Sequence, residues 1–530
     1  MIPLAVAATR WAMGNMAEGT EKTYTSDERF DLLRGRLGFF LGPAVGACLY
    51  FLPMPALTPA AHTLAAILGL VIVWWITEPV PIPIAGLIGL SLCVLLGVEV
   101  PKKVFLAFSD PVIFLFIGSF ILAQAMSLHK LDERLAFTIL GLPRVANSPV
   151  TILFVFGLLS TVLSMWVSNT ATTAMLLPIG IGILNTVRRL EIEGNPDAAK
   201  TLPAVAQMKF SSSLMLIAAF GASVGGIATP VGSPPNLIGI GLINQVLGTK
   251  ITFFGWMQFG LPLAILMFLV VFVVLIFMYP AEIKAMRGAS GYIREKKKSL
   301  GRLSRGEINV LLGFGLTVIL WVTPGILSLF LPPTHPLIEW YSAHLPEATA
   351  ALFGAGLLFV LPVNFKAGEF TTNWKNATQI DWGTVLLFGC GLAFGALMFQ
   401  TGLAEVVGIG LLKAFGLTSL WSITLMSIVL SVVITDFASN TAAANMVIPV
   451  VISISKAAGV DPIPAAMGAC IGASFAFLLP VSTPPNAIAY GSGMLPITRM
   501  IKSGFVLSVL GIGVIFAAVV LWLPRIKLAG

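Results

Sequence analysis

Long stretches of this chain carry no charge at all, and that limits its fold more than any other feature. From Leu261 to Met278 there is no Asp, Glu, Lys, Arg or His. At ~1.5 Å per residue such a run, wound as a helix, comes close to crossing a ~30 Å hydrocarbon layer. In that layer each backbone N–H and C=O must find its partner within the segment or in a closed barrel. Strands of alternating hydrophobicity about ten residues long are absent, which excludes the barrel. Only 10% of the residues are charged and 57% are hydrophobic, whereas a water-soluble domain carries about a quarter charged residues. The chain therefore reads as an all-α integral membrane protein.

Eleven crossings are expected, near 38–55, 62–79, 83–98, 110–128, 210–247, 252–279, 308–331, 348–363, 381–400, 463–495 and 503–524. Two further apolar stretches, 150–188 and 420–455, are interrupted midway by Ser-Asn-Thr and read as re-entrant helical hairpins. With the N-terminus in the cytosol, 24 of the 31 Lys and Arg fall inside and seven outside, as the positive-inside rule requires. The net charge of +8 thus reports topology; no basic face alternates with aromatics, so no nucleic-acid partner is expected. Met1 to Ala8 is too short for a signal peptide. Residues 1–36 read as a cytosolic lead-in with an interfacial helix around Arg29 to Arg36.

The sequence also repeats itself. Asp110 precedes Asn169 by the same interval as Asp381 precedes Asn440, and Gly118 and Gly389 follow their aspartates alike. Thr229-Pro230-Val231-Gly232-Ser233-Pro234-Pro235-Asn236 aligns without a gap on Leu479-Pro480-Val481-Ser482-Thr483-Pro484-Pro485-Asn486. Five crossings lie between the two hairpins, and an odd number makes them enter from opposite faces. The halves are inverted repeats, an architecture typical of secondary transporters.

At each hairpin tip one half-helix ends and another begins, so partial negative and partial positive helix ends meet at membrane depth. Ser168, Thr170, Ser439 and Thr441 are suited to cap the second half-helices, while Asn169 and Asn440 can offer oxygen to a cation and NH₂ to an anion. Ser233-Pro234-Pro235 and Thr483-Pro484-Pro485 read as helix restarts after a cap. Four helix N-termini then converge, with a summed partial charge of roughly +2, suited to a dianion. Oxygen-only cation ligands are available from Ser164, Asn169 and the carbonyl near Gly232, and from Thr435, Asn440 and the carbonyl near Ser482. Neutral oxygens at broken helices suit sodium.

With Met165-Trp166-Val167-Ser168-Asn169-Thr170-Ala171-Thr172-Thr173-Ala174-Met175 and the second tip Ser439-Asn440-Thr441, the chain resembles the divalent anion/sodium symporter family, in its sodium-coupled dicarboxylate branch, over about residues 38–524. The resemblance implies a homodimer working by an elevator mechanism. Scaffold helices at 37–128 and 307–401 would hold transport parts at 129–280 and 402–524, with a basic cytosolic loop at 281–306. It further implies substrate contacts from Ser168, Asn169, Thr170, Ser233, Ser439, Asn440, Thr441, Thr483 and Pro484. Implied sodium contacts are Ser164, Asn169, Gly232, Thr435, Ala438, Asn440 and Ser482.

The expected function is sodium-driven uptake of a C4 dicarboxylate such as succinate, malate or fumarate across the cell membrane. Sulfate or tricarboxylate transport and dicarboxylate exchange are the alternatives. Asp436, which replaces Met165 of the other half, reads as an acid paired within protein or near the outer surface, or as a proton or sodium ligand. Asp110 and Asp381 read as helix caps and Glu78 as interfacial. The four histidines share no face, and Cys48, Cys93, Cys390 and Cys470 read as packing residues rather than disulfide or metal ligands. An intramembrane enzyme is not expected, since no His-Glu-x-x-His pair, facing aspartates or Ser-His pair is present. A channel fits two opposed hairpins poorly, and no organic cofactor or Walker lysine is indicated.

Overall fold

The computed structural model describes residues 26–194, 202–283, 285–286, 288–332, 334–416, 418–526 and 528, with side chains from Leu32 onward. Most of the expected cytosolic lead-in, residues 1–25, and Lys200 lie outside the described residues. The chain begins with α1 (Ser26–Phe51), α2 (Pro59–Thr77) and α3 (Ile82–Leu95). A first series follows: α4 (Pro111–Leu128), α5 (Leu131–Leu140), α6 (Pro149–Ser164), α7 (Asn169–Gly194), α8 (Lys209–Gly226), α9 (Pro234–Leu247) and α10 (Phe253–Met278). Next come α11 (Ala289–Ser299), α12 (Arg305–Phe330), α13 (Pro336–His344) and α14 (Glu347–Val360). The second series repeats the first: α15 (Trp382–Gln400), α16 (Leu403–Phe415), α17 (Leu420–Phe437), α18 (Asn440–Ala457), α19 (Pro462–Gly472), α20 (Pro484–Gly491) and α21 (Ile497–Leu521). A two-stranded pair, Pro362–Asn364 with Glu369–Phe370, is the one strand pairing among the described residues.

Helix starts follow one local grammar, a short polar cap and then proline at the first helical position. Thr58, Asp110, Ser148 and Asp461 each accept a backbone N–H of the first turn, and each precedes Pro59, Pro111, Pro149 or Pro462. Asp110 and, at α15, Asp381 are therefore caps, as their sequence positions indicate. The separate interfacial helix expected around Arg29 to Arg36 does not form; that segment continues into α1 without a break.

Among the described residues nine helices are long and apolar enough to cross a membrane, or ten if α13 and α14, bent by 60°, count as one. The sequence-based eleven instead counts α3 and the broken pairs α8–α9 and α19–α20 as crossings. By length alone α7 and α17, members of the expected hairpins, also qualify.

Each hairpin lies along the first half of a broken pair, through glycines and hydroxyls used in different proportion in the two halves. In the first, glycine lets backbones touch: a Cβ on Gly225 would sit 2.1 Å from the Thr161 carbonyl oxygen. In the second, Ser427, Ser431 and Thr435 recur every fourth residue of α17, and each donates to a carbonyl of the α19 segment, Ala465, Ala469 and Ala473, at 2.6–2.9 Å. The ladder adds hydrogen bonds to a close approach at Gly468 and Gly472, as Ser160 does in the first half by donating to the Ala218 carbonyl at 2.6 Å. The second halves of the broken pairs are exchanged, α9 packing on α18 and α20 on α7. The two repeats thus interlock.

A largely buried ion pair ties α5 to the start of α12. The Arg134 guanidinium bonds both carboxylate oxygens of Glu307, with 3.2 Å from Nη2 to Oε2, and also donates to the carbonyls of Leu300, Gly301 and Arg302. Glu307 closes a capping box with Ser304 at the start of α12. Removing one partner of a buried pair strands the other charge, at about 3–5 kcal/mol. Arg134→Ala and Glu307→Ala are each expected to lower the melting temperature of the detergent-purified protein, and the double variant is expected to lose clearly less than the sum.

Candidate functional site

The hairpin tips are built by serine caps. Ser168 Oγ accepts the Ala171 N–H and Ser439 Oγ accepts the Ala442 N–H, both at 3.2 Å, which starts α7 at Asn169 and α18 at Asn440. Thr170 and Thr441 fall one position inside these helices, past the cap. Behind each tip a hydroxyl reaches back to the asparagine: Ser164 Oγ lies 2.6 Å from Asn169 Oδ1, and Thr435 Oγ1 lies 2.8 Å from Asn440 Oδ1. Thr435 Oγ1 is also 2.7 Å from the Ala473 carbonyl, so three oxygens there share one hydroxyl proton.

The broken pairs supply the remaining oxygens. Gly226 has no side chain because Asn169 Oδ1 and the Gly232 carbonyl converge on it; a Cβ there would be 2.7 and 3.1 Å from them. On the other side Ser482 Oγ donates to the Asp436 carbonyl at 2.8 Å, while Thr229 Oγ1 donates to the equivalent Met165 carbonyl at 2.5 Å. The Asp436 carboxylate accepts the Leu478 N–H at 3.1 Å and is 5% exposed. It is thus paired within the protein beside the α19–α20 break. Ser164, Thr435 and Ala438 are buried.

Two residues that sequence reasoning left without a role hold the breaks open. Asn236 Nδ2 donates to the carbonyls of Gly226 and Thr229 at 2.8 and 2.7 Å. Asn486 Nδ2 donates to those of Ala476 and Leu479 at 2.9 and 3.1 Å, the same intervals along the chain. Each proline pair stands where first-turn N–H groups would be orphaned, and one amide takes up two carbonyls left free where the preceding helix ends. The signal was present in the aligned Pro-Pro-Asn motif. Both Oδ1 atoms are buried and without a hydrogen-bond partner.

All nine residues expected to contact substrate line one cavity of about 740 Å³, together with Gly232 and Ser482. Tips and restart helices from both halves meet there, so four helix N-termini face it. Its charged lining residues are Glu78 and Asp381, and no Lys, Arg or His lines it among the described residues. Positive potential in the cavity therefore comes from helix ends rather than side chains. One expectation fails in detail. Ser233 occupies the cap position of α9 but makes no cap bond; its hydroxyl lies 3.1 Å from Ser474 Oγ across the repeat interface, whereas Thr483 caps α20 through Asn486 N–H. A partner from the other repeat outcompetes the local amide. The histidines at 62, 129 and 344 contact backbone carbonyls, and the described residues contain no group of three metal-ligating side chains. All four cysteines are free, and Cys93, Cys390 and Cys470 are buried.

Glu78 and Ser127, at the ends of α2 and α4, line the cavity together with Gln379 and Asp381. On the opposite side a smaller pocket of about 170 Å³ is lined by Asp110, Pro230, Phe253 and Glu347. The wall between the two is Val231 beside Pro230 and Trp166 stacked on Phe253, ring centroids 6.4 Å apart at 14°. Phe253 stacks in turn on Trp321 at 4.6 Å, which anchors the tip of the first hairpin against α12. Trp166→Ala is expected to breach this wall. With Cys48 replaced by Ser, Val231→Cys should react with an impermeant thiol reagent from one membrane face, and from both once Trp166 is removed.

Comparison with known proteins agrees with this geometry. The family described as "Sodium:sulfate symporter transmembrane region" matches residues 37–528. A sodium-dependent dicarboxylate transporter, SdcS, of Staphylococcus saprophyticus is 32% identical over 495 residues, covering 92% of each chain. Its namesake in Staphylococcus aureus is 32% identical over 507 residues, 95% of this chain and 93% of the relative. At the level of fold alone, the YdaH transporter of Alcanivorax borkumensis aligns with a TM-score of 0.52 and 13% identity over 94% of this chain and 98% of its own. MtrF of Neisseria gonorrhoeae aligns with 0.53 and 13% over 81% and 84%. With its whole apolar region matched and its paired Ser-Asn-Thr tips gathered on one cavity, the chain belongs to the sodium:sulfate symporter family, the divalent anion/sodium symporters.

Proposed function

We propose that this chain is a sodium-coupled symporter that takes C4 dicarboxylates such as succinate, malate or fumarate into the cell. Family membership makes it a membrane transporter, not an enzyme. The observation that carries the substrate reading is the single cavity onto which both Ser-Asn-Thr tips and both Pro-Pro restarts open without any basic side chain. A fixed Lys or Arg would bind a dianion too firmly to release it cheaply. Four helix ends, each nominally about +0.5, sum to roughly +2 and would balance two carboxylates. Ser168, Asn169, Thr170 and Ser233 would take one carboxylate. Ser439, Asn440, Thr441, Thr483 and Pro484 would take the other. The names of the Staphylococcus relatives point the same way.

Sodium is read from the oxygens behind the tips: Ser164, Asn169 and the Gly232 carbonyl on one side, and Thr435, Ala438, Asn440 and Ser482 on the other. These ligands are neutral and have no proton to exchange, so they favour a weakly hydrated monovalent cation over a divalent one. Each asparagine touches both a cation pocket and the cavity. A bound sodium would orient its amide oxygen away and leave NH₂ for the dianion, which couples the two bindings. The excess of Lys and Arg expected in cytosolic loops supports reading this cavity as inward-open. The outer wall at Trp166 and Phe253 would part when the hairpins and broken helices slide past the scaffold in a homodimeric elevator.

In proteoliposomes with equal pH on both sides, labelled succinate is expected to concentrate under an inward sodium gradient and to stop when potassium replaces sodium. Concentrative uptake without sodium would overturn the reading. Sulfate, the dianion named in the family description, is the rival substrate; competition at lower concentration than succinate would favour it. Asn169→Ala and Asn440→Ala are each expected to abolish sodium-driven uptake while the protein keeps its chromatographic profile and thermal stability. Asp436→Asn is expected to lower sodium affinity modestly and to leave sodium dependence intact.

A further inference from the structure

The loop between α10 and α12 carries more positive charge than topology needs, and it carries it on a held surface. Both flanking helices are membrane-spanning by length and composition, so the loop must lie along one face of the membrane. Its helix, α11, buries Ala289 and Ile293 against the protein. The fit is tight: a Cβ on Gly182 of α7 would sit 2.1 Å from Tyr292 Oη, and one on Gly288 would sit 2.0 Å from Leu190 Cδ1. Arg134 clamps the far end of the loop through the carbonyls of Leu300, Gly301 and Arg302. With one face sealed, α11 turns Arg294, Lys296, Lys297 and Lys298 to solvent, and Arg302 and Arg305 follow, all exposed. Glu295 is the acid among them, and Lys296 also covers the Tyr292 ring at 5.9 Å.

Immediately beyond, the exposed side chains become apolar: Leu303 is 52% exposed, Ile308 43%, Leu311 46% and Leu312 60%. The six cations therefore stand where the lipid-facing band of α12 begins, at the level of the phospholipid headgroups. Clusters of four to eight Lys or Arg directly beside a membrane helix attract anionic lipids. A topogenic signal needs only charge in a loop. Here the cations are fixed on a folded helix wedged between α7, which begins at the first tip, and the Arg134 clamp.

We propose that α11 and the residues following it, with Lys296, Lys297 and Lys298 at their centre, form a docking surface for anionic phospholipid headgroups of the cytosolic leaflet. Because α11 rests on α7, headgroup binding would also bear on the position of the first hairpin. The surface is independent of the transported ion and dianion, so binding is measured without transport.

Detergent-purified protein, already folded and inserted, would be titrated with phosphatidylglycerol or phosphatidylcholine and the bound lipid counted by native mass spectrometry. Each basic residue at such a surface is worth roughly fivefold in affinity. The K296Q/K297Q/K298Q variant is thus expected to bind phosphatidylglycerol on the order of 100-fold more weakly, with phosphatidylcholine unchanged. The charge-preserving K296R/K297R/K298R variant should bind as the parent does, which separates charge from misfolding. Excess inorganic phosphate should not displace the lipid. Equal binding of the two lipids by the parent protein, full retention of phosphatidylglycerol by the Gln variant, or displacement by phosphate would overturn the proposal.

Discussion

A helix in hydrocarbon cannot simply stop, because each break frees backbone groups that have no water to turn to. The site in this protein depends on meeting that condition four times in a small volume. At the tips, Ser168 and Ser439 take amides of the first turn. At the broken pairs, prolines delete donors that would otherwise be stranded, and Asn236 and Asn486 each cross-link two of the carbonyls left over. What is not satisfied in this way faces inward: carbonyl and amide oxygens behind the tips, helix N-termini toward the cavity. The groups that cost most to bury are thus gathered around the cavity.

Pseudo-symmetry is kept in the backbone and relaxed in the side chains. The Met165 and Asp436 carbonyls both accept a hydroxyl, but from Thr229 in one half and from Ser482 in the other. Glycines stand in both helix pairs, at 157, 221 and 225 in the first and at 468 and 472 in the second, while three hydroxyls join α17 to α19 and that of Ser160 joins α6 to α8. Hydrogen-bonded contacts between membrane helices are worth about 0.6 kcal/mol on average, so either solution suffices for packing. The difference lies in charge, since the carbonyl at 436 belongs to a buried aspartate and its equivalent to the buried Met165.

A large part of this was legible before any coordinates. The apolar runs require helices, and the matched spacing of Asp110 with Asn169 and Asp381 with Asn440 exposes the repeat. The Pro-Pro-Asn motifs mark the breaks, because proline and short polar caps act within one turn of where they stand. The roles of Asn236 and Asn486 were within reach of the same reasoning, since an amide just after a proline pair sits beside freed carbonyls. The hydroxyl of Ser233 was not, because it is claimed by Ser474, which no local rule connects to it.

By itself, then, the sequence determined that the chain spans a membrane, that it contains two copies of one unit, and that each copy is interrupted at a Ser-Asn-Thr and at a Pro-Pro-Asn. These are consequences of periodicity, proline geometry and charge, all of which operate over a few residues. Only the tertiary structure decided that the four interruptions share one cavity, that α9 and α20 are exchanged between the repeats, and that Trp166 and Phe253 form the wall on one side of it. Those features arise from packing between residues far apart in the chain. Such contacts are set by which apolar faces fit together, and composition and spacing carry no record of that fit.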